Sequence, residues 1–194
     1  MSAITVVDRR GFLSGLASFA GLGLAGNGSE MTTRKSTLQR ATVTSSKPFD
    51  DVIAAFEAQI GHPNLAEFLN QINGAKTYAE MESVVQANVS KAGFMQFARF
   101  DLGAVIRKEN GQDKRRTIRY LVGNPLIMKE MVKHVPDAGS YAPVTVLIDE
   151  RSDGVHLSYD LMAAFLAPYE NEDALKVARE VDAKVENLLK QAAA

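Results

Sequence analysis

The stretch from Arg115 to Asp160 reads RRTIRYLVGNPLIMKEMVKHVPDAGSYAPVTVLIDERSDGVHLSYD, and its reading decides the fold. Arg115–Val122 is predicted as a strand, stopped by Gly123-Asn124-Pro125. Asn124 is a favoured N-cap and Pro125 suits the first helical position, where a missing N–H costs nothing. A helix over Leu126–His134 follows, then a loop over Pro136–Pro143. Val144–Asp149 and Val155–Asp160 are two short β-rich runs around Ser152-Asp153-Gly154, which reads as a hairpin. Strand, helix and hairpin in this order call for an antiparallel sheet with helices to one side.

Working outward, Lys35–Thr44 reads as a strand and Pro48 opens a helix with an apolar face of Val52, Ile53, Phe56 and Ile60. Gly61 and His62-Pro63 close that helix. Asn64–Ile72 and Thr77–Lys91 read as two further helices, the second with a Thr77/Glu80 capping box. Phe94–Phe100 returns to strand alternation. Leu102–Lys108 and Arg115–Val122 flank Glu109-Asn110-Gly111-Gln112, which predicts a second hairpin with Asn-Gly at its turn. The chain closes with a helix over Asn171–Gln191, whose face is Ala174, Leu175, Ala178, Val181, Val185 and Leu188. The fold expected is α+β: a mostly antiparallel sheet of four to five strands, helices packed on one face, and a helical insertion over residues 62–91.

Composition bounds the function. The chain has 194 residues, 46% of them hydrophobic, with 22 basic and 23 acidic side chains and no Cys. Without Cys there is no disulfide, thiolate nucleophile, iron–sulfur ligand or Cys-based zinc site. A net charge of −1 argues against a generic nucleic-acid binder. The first residues differ from the rest. Arg9-Arg10 with Phe12-Leu13 resembles a twin-arginine export signal, and the apolar run Gly11–Ala25 is shorter than the ~20 residues a membrane span needs. Residues 1–25 are therefore expected to be a signal peptide cleaved after Ala25, with residues 26–34 as linker and 35–192 as a single domain. That makes the protein periplasmic or secreted. A true start at Met31 would make it cytoplasmic instead. No transmembrane helix is expected in the mature chain.

Several segments together carry a family resemblance. Ile118 to Pro125, with its Gly-Asn-Pro junction, the Pro-led strand Ala142 to Ile148, and Val155 to Asp160 resemble the domain-of-unknown-function-302 family, and Phe49-Asp50-Asp51-Val52 resembles its first helix start. The resemblance spans roughly residues 33–192. It implies an α+β fold and homodimers, and no established activity. Val144 stands where many members carry Cys, and Leu161 stands where Pro often follows the Asp. Thiol chemistry therefore does not carry over.

Candidate site residues follow from position and chemistry. The Asn124 helix start could offer backbone N–H groups to an anion, although capping alone explains Asn124. His156 shares a strand face with Ser158, opposite Val155, Leu157 and Tyr159, and should point away from the helix-covered core toward solvent. Tyr159-Asp160 ends the second hairpin, where Asp160 could cap a turn or accept a ligand hydrogen bond. His134 ends a helix near Asp137, and His62 sits in a helix break. The three histidines have no metal-ligand spacing, so no metal site is expected. Arg107, Lys108, Lys114, Arg115 and Arg116 outnumber Glu109 and Asp113 around the Asn-Gly turn, which could meet an acidic partner or a phosphate. No nucleotide-binding or nucleophile-elbow motif occurs.

The resulting expectation is a small exported ligand-binding or accessory module, homodimeric, with no catalytic residues of its own. Its small-molecule or anion ligand would sit near Asn124, His156, Tyr159 and Asp160, and any cofactor is unknown. The alternatives are an enzyme with an acid–base site at His156 with Asp160 or Tyr159, and a non-covalent haem or metal binder using His156 and a Met.

Overall fold

Five strands form one antiparallel sheet in the order β1-β5-β4-β3-β2, built from Arg40–Ser45, Met95–Asp101, Thr117–Gly123, Val144–Arg151 and Gly154–Asp160 in chain order. The computed structural model describes residues 31–111 and 116–194, of which Arg34–Ala194 make one compact unit. The export-signal reading and part of the basic turn lie outside the described residues. The helices are α1 (Phe49–Glu57), α2 (Leu65–Gly74), α3 (Tyr78–Asn88), α4 (Leu102–Asn110), α5 (Pro125–Val132), α6 (Met162–Leu166) and α7 (Glu172–Ala193). Among the described residues no helix is long and apolar enough to cross a membrane.

Strand alternation decides which side is covered. Ile118, Tyr120 and Val122 of β3, Val146 and Ile148 of β4, and Val155, Leu157 and Tyr159 of β5 are buried with Val52 and Phe56 of α1 and Val181, Val185 and Leu188 of α7. The other face carries Thr42, Arg119, Thr145, Ser158 and Asp160, by the same alternation. The α+β reading with helices on one face is what the structure shows. The segment 62–91 supplies α2 and α3, whose Phe68 and Val85 make a satellite core with Met95 of β2.

One predicted hairpin is wrong. Leu102–Asn110 is helix, and β2 pairs directly with β3 from Asp101 opposite Ile118. Asp101 caps that helix, its carboxylate accepting the Ala104 N–H at 2.8 Å, and Gly111 ends it at φ 66°. A helix C-terminus and a tight hairpin turn both need positive φ, so Asn110-Gly111 satisfied the wrong template. Smaller corrections concern boundaries. β1 starts at Arg40 rather than Lys35, and α1 stops at Glu57, so Gly61 is not its C-terminal cap. Gly61 instead bridges to β2: its N–H donates to the Phe94 carbonyl at 2.9 Å and its carbonyl accepts the Gln96 N–H at 2.8 Å. A Cβ there would sit 2.0 Å from the Asn88 carbonyl oxygen, which leaves room for glycine only. α6 had no counterpart in the sequence reading.

Candidate functional site

The four residues singled out from sequence occupy three different environments. Asn124 is used up by the fold. Its Oδ1 accepts the Leu126 N–H at 2.9 Å, capping α5, and its Nδ2 donates to the Gly93 carbonyl at 2.9 Å. It thereby pins the start of α5 to the turn before β2.

Tyr159 faces the helices and is fully buried. Its hydroxyl donates to Asp182 of α7 at 2.7 Å. Asp182 also accepts the N–H of Met162 at 2.7 Å and of Ala163 at 3.1 Å, so a carboxylate from α7 caps α6. Burial pushes the Asp182 carboxyl above its usual range, against the opposing pull of these donors. Burial first, and then the Asp182 carboxylate, hold the Tyr159 hydroxyl protonated far above the ordinary phenol range. This pair is structural: it locks β5, α6 and α7 together.

His156 does lie opposite the helix-covered face, as alternation requires, but it is 8% exposed rather than solvated. Cross-strand neighbours Thr44 and Asp149 flank it, and its Nε2 lies 2.9 Å from the Asp153 carboxylate. That carboxylate is held below its usual range chiefly by the His156 hydrogen bond. His156 Nδ1 has no partner among the described residues. Asp160, on the same strand face, is engaged elsewhere: Arg40 forms a bidentate pair with it at 2.6 and 2.8 Å. His156 and Asp160 thus hold separate partners. His134 lies 4.0 Å from Asp173, and His62 contacts the Glu57 carbonyl at 2.8 Å. Among the described residues no group of three or more His, Asp or Glu side chains converges as a metal site.

Asp160 opens onto a cleft of about 360 Å³ at the end of β5, whose walls include Arg119, Tyr141, Pro143, Thr145 and Phe165. The Tyr141 and Phe165 rings stack with centroids 4.9 Å apart, and Arg119 Nη2 donates to the Thr145 hydroxyl at 3.3 Å. The Tyr141 hydroxyl meets Tyr169 at 3.2 Å. That contact, with burial and Asp137, raises the Tyr169 pKa well above the phenol range. A smaller apolar hollow of about 130 Å³, with Asn124, Phe97 and Met128 in its walls, lies on the other side of Ala142-Pro143. The peptide bond between those two residues is cis. Pro143 lines both hollows, with Asp160 in the wall of one and Asn124 in the wall of the other.

Sequence reasoning missed Arg40, Arg119, Tyr141 and Phe165. Arg119 had a signal, a charge inside an otherwise apolar strand. Phe165 reaches the cleft, and Arg40 reaches Asp160 in its wall, only through tertiary packing; Arg40 and Asp160 are 120 residues apart.

Comparison with known proteins agrees with this architecture. The crystal structure of an uncharacterized conserved protein DUF302 from Bacillus stearothermophilus has a TM-score of 0.56 to this chain at 12% identity, covering 79% of this chain and 97% of that one. No curated protein matches the chain. A family model, described as a domain of unknown function, DUF302, matches residues 70–192, which takes in β2 to β5, α7 and the Pro143 cleft; the chain belongs to the DUF302 family.

Proposed function

We propose that this protein is a small ligand-binding or accessory module with no catalysis of its own, and that its ligand occupies the Pro143 cleft. The observation carrying this reading is the cleft itself. It sets a stacked aromatic pair beside Arg119, Thr145 and Asp160, a few polar groups on an apolar wall, which is how small-molecule sites are commonly built. A polar organic molecule or an anion meeting Arg119 fits that lining. The chain is exported through its N-terminal segment and works as a homodimer in the periplasm or outside the cell. The charge pattern of residues 9–13 supports export, and membership of the family supports the dimer.

Thermal melts of the purified protein against periplasmic metabolites and metal ions test the binding. A ligand at about 100 times its Kd adds ~2.7 kcal/mol, which reads as a clear rise in melting temperature. Phe165→Ala should abolish that rise. No shift with any compound, together with turnover of one of them, refutes the reading. Mass spectrometry of the native protein tests export through its first residue, after Ala25 or at Met31, and light scattering tests the dimer.

A second reading, an acid–base enzyme, draws on the His156–Asp153 pair, which has the form of a base and its orienting carboxylate. Against it, His156 lines neither hollow beside Pro143, and Asp160 and Tyr159 bind other partners.

A further inference from the structure

On the helix-covered side, at the other end of β3, a further cavity of about 410 Å³ opens between α1, α4 and the start of β3. Three arginines line it, Arg99, Arg107 and Arg116, and its apolar wall is Phe49, Ile53 and Ile118.

Arg99 is fixed from behind. Among the described residues its Nε alone makes hydrogen bonds, to Glu57 Oε1 at 3.0 Å and to the Tyr120 hydroxyl at 3.3 Å. Tyr120 in turn donates to Glu57 at 2.6 Å and is fully buried. Burial and the Glu57 carboxylate hold that phenol protonated well above its ordinary range. A guanidinium anchored by one nitrogen keeps both terminal nitrogens for something else, and among the described residues nothing takes them. Arg116 lies over the Phe49 ring at 4.4 Å and pairs through Nη2 with Asp50, whose side chain is 79% exposed. Arg107 pairs with Asp101 at 2.8 Å. An ion pair to so exposed a carboxylate is weak, so an incoming anion displaces Asp50 from Arg116 at small cost.

The geometry points to a binding site for a small organic oxyanion. The carboxylate or phosphate group lies between the free end of Arg99 and Arg116, and a compact apolar or aromatic body rests on Phe49, Ile53 and Ile118. Planar guanidinium forks suit both oxyanions, so the two share one chemistry. This site is separate from the Pro143 cleft and does not depend on the reading given to that cleft.

Isothermal titration with benzoate, phenyl phosphate, acetate and inorganic phosphate tests it. Saturable binding of benzoate or phenyl phosphate is expected, about tenfold or more tighter than its small counterpart, because the ring adds buried apolar area. Binding by benzoate alone or by phenyl phosphate alone identifies the head group. Arg116→Ala should weaken binding about tenfold or more, as loss of a charged hydrogen bond does. Arg99→Lys keeps the charge behind the cavity but removes the fork, and should weaken it comparably. Phe165→Ala, in the other cleft, should leave it unchanged. The inference is overturned if neither aromatic anion binds at about 10 mM, if the small anions bind as tightly as the aromatic ones, or if both arginine variants bind like the parent.

Discussion

Replacing Asp182 by Ala tests the account of how the C-terminal helix is fastened. The carboxylate accepts from the Tyr159 hydroxyl and the Met162 N–H in a buried setting, and from the part-buried Ala163 N–H. Removing it orphans three donors. One is partly rescued, since the Met162 N–H also reaches the Tyr159 oxygen at 3.2 Å. With ~1–3 kcal/mol for each buried unsatisfied donor, the expected loss is ~3–5 kcal/mol, a large share of a typical domain's ~5–15 kcal/mol. Tyr159→Phe removes one donor and leaves the cap on α6 intact, so it should cost only ~1 kcal/mol. Urea melts followed by circular dichroism compare the two through midpoint and slope. The carboxyl also sets a pH dependence. Its folded pKa is raised above the ordinary 3.8, so the folded state holds the proton to higher pH than the unfolded chain does. Stability therefore falls as pH climbs from the ordinary value through the raised one, and Asp182→Asn should remove that part of the slope. A loss below ~1 kcal/mol in Asp182→Ala, or one equal to that of Tyr159→Phe, refutes the reasoning.

Gly61→Ala should destabilise by ~3 kcal/mol or more, since the new methyl meets the Asn88 carbonyl and backbone must move; chemical melts measure it. Asn124→Asp should keep the α5 cap but lose the bond to the Gly93 carbonyl, whereas Asn124→Ala loses both. The expected losses are ~1 and ~2 kcal/mol, and the Gly93 N–H, which donates to the Ser90 carbonyl within the turn that Asn124 pins, should exchange faster in both variants as that turn loosens. Glu130, paired with Lys129 and Lys133, has its carboxyl lowered to about 2, so its small contribution is present above the ordinary carboxylate pKa and vanishes as pH falls through about 2. A carbon-detected titration of Glu130 in the folded protein checks that value.

Legibility tracked locality. The β4–β5 hairpin and α7 were readable because their periodicity and turn or cap residues sit next to each other in the chain. The capping box at Thr77 was readable for the same reason, although Glu80 closes it on the Lys76 N–H at 2.7 Å rather than on Thr77 itself. The α4 error shows the limit. Leu102, Val105 and Ile106 have helical spacing and Asp101 is a good cap, but the Asn-Gly pair outweighed them. Val105 is 71% exposed, so core burial never reinforced that spacing. Tyr159 was placed on the correct face by alternation, yet its partner comes from α7, and no local pattern names Asp182. Alternation points His156 away from the helices but does not give its burial, because a strand residue can be enclosed by its cross-strand neighbours, here Thr44 and Asp149. Only part of the arginine-lined cavity is legible locally: Arg107 and Arg116 belong to the basic stretch, while Arg99 enters through sheet pairing with Tyr120.

The Ser45 hydroxyl, at the end of β1, donates to the Ala193 carbonyl at 2.7 Å, across 148 residues. Among the described residues β1 also pairs only with β5, late in the chain, and α7 buries Leu188, Leu189 and Ala192 against the same core. Synthesis at ~5–20 residues per second separates the two ends of that bond by roughly 7–30 s. Throughout that interval β1 has emerged with neither its ladder partner nor its covering helix. The domain cannot reach its final form during translation until its last helix is out, so any carrier that accepts only finished domains must wait for residues 172–193.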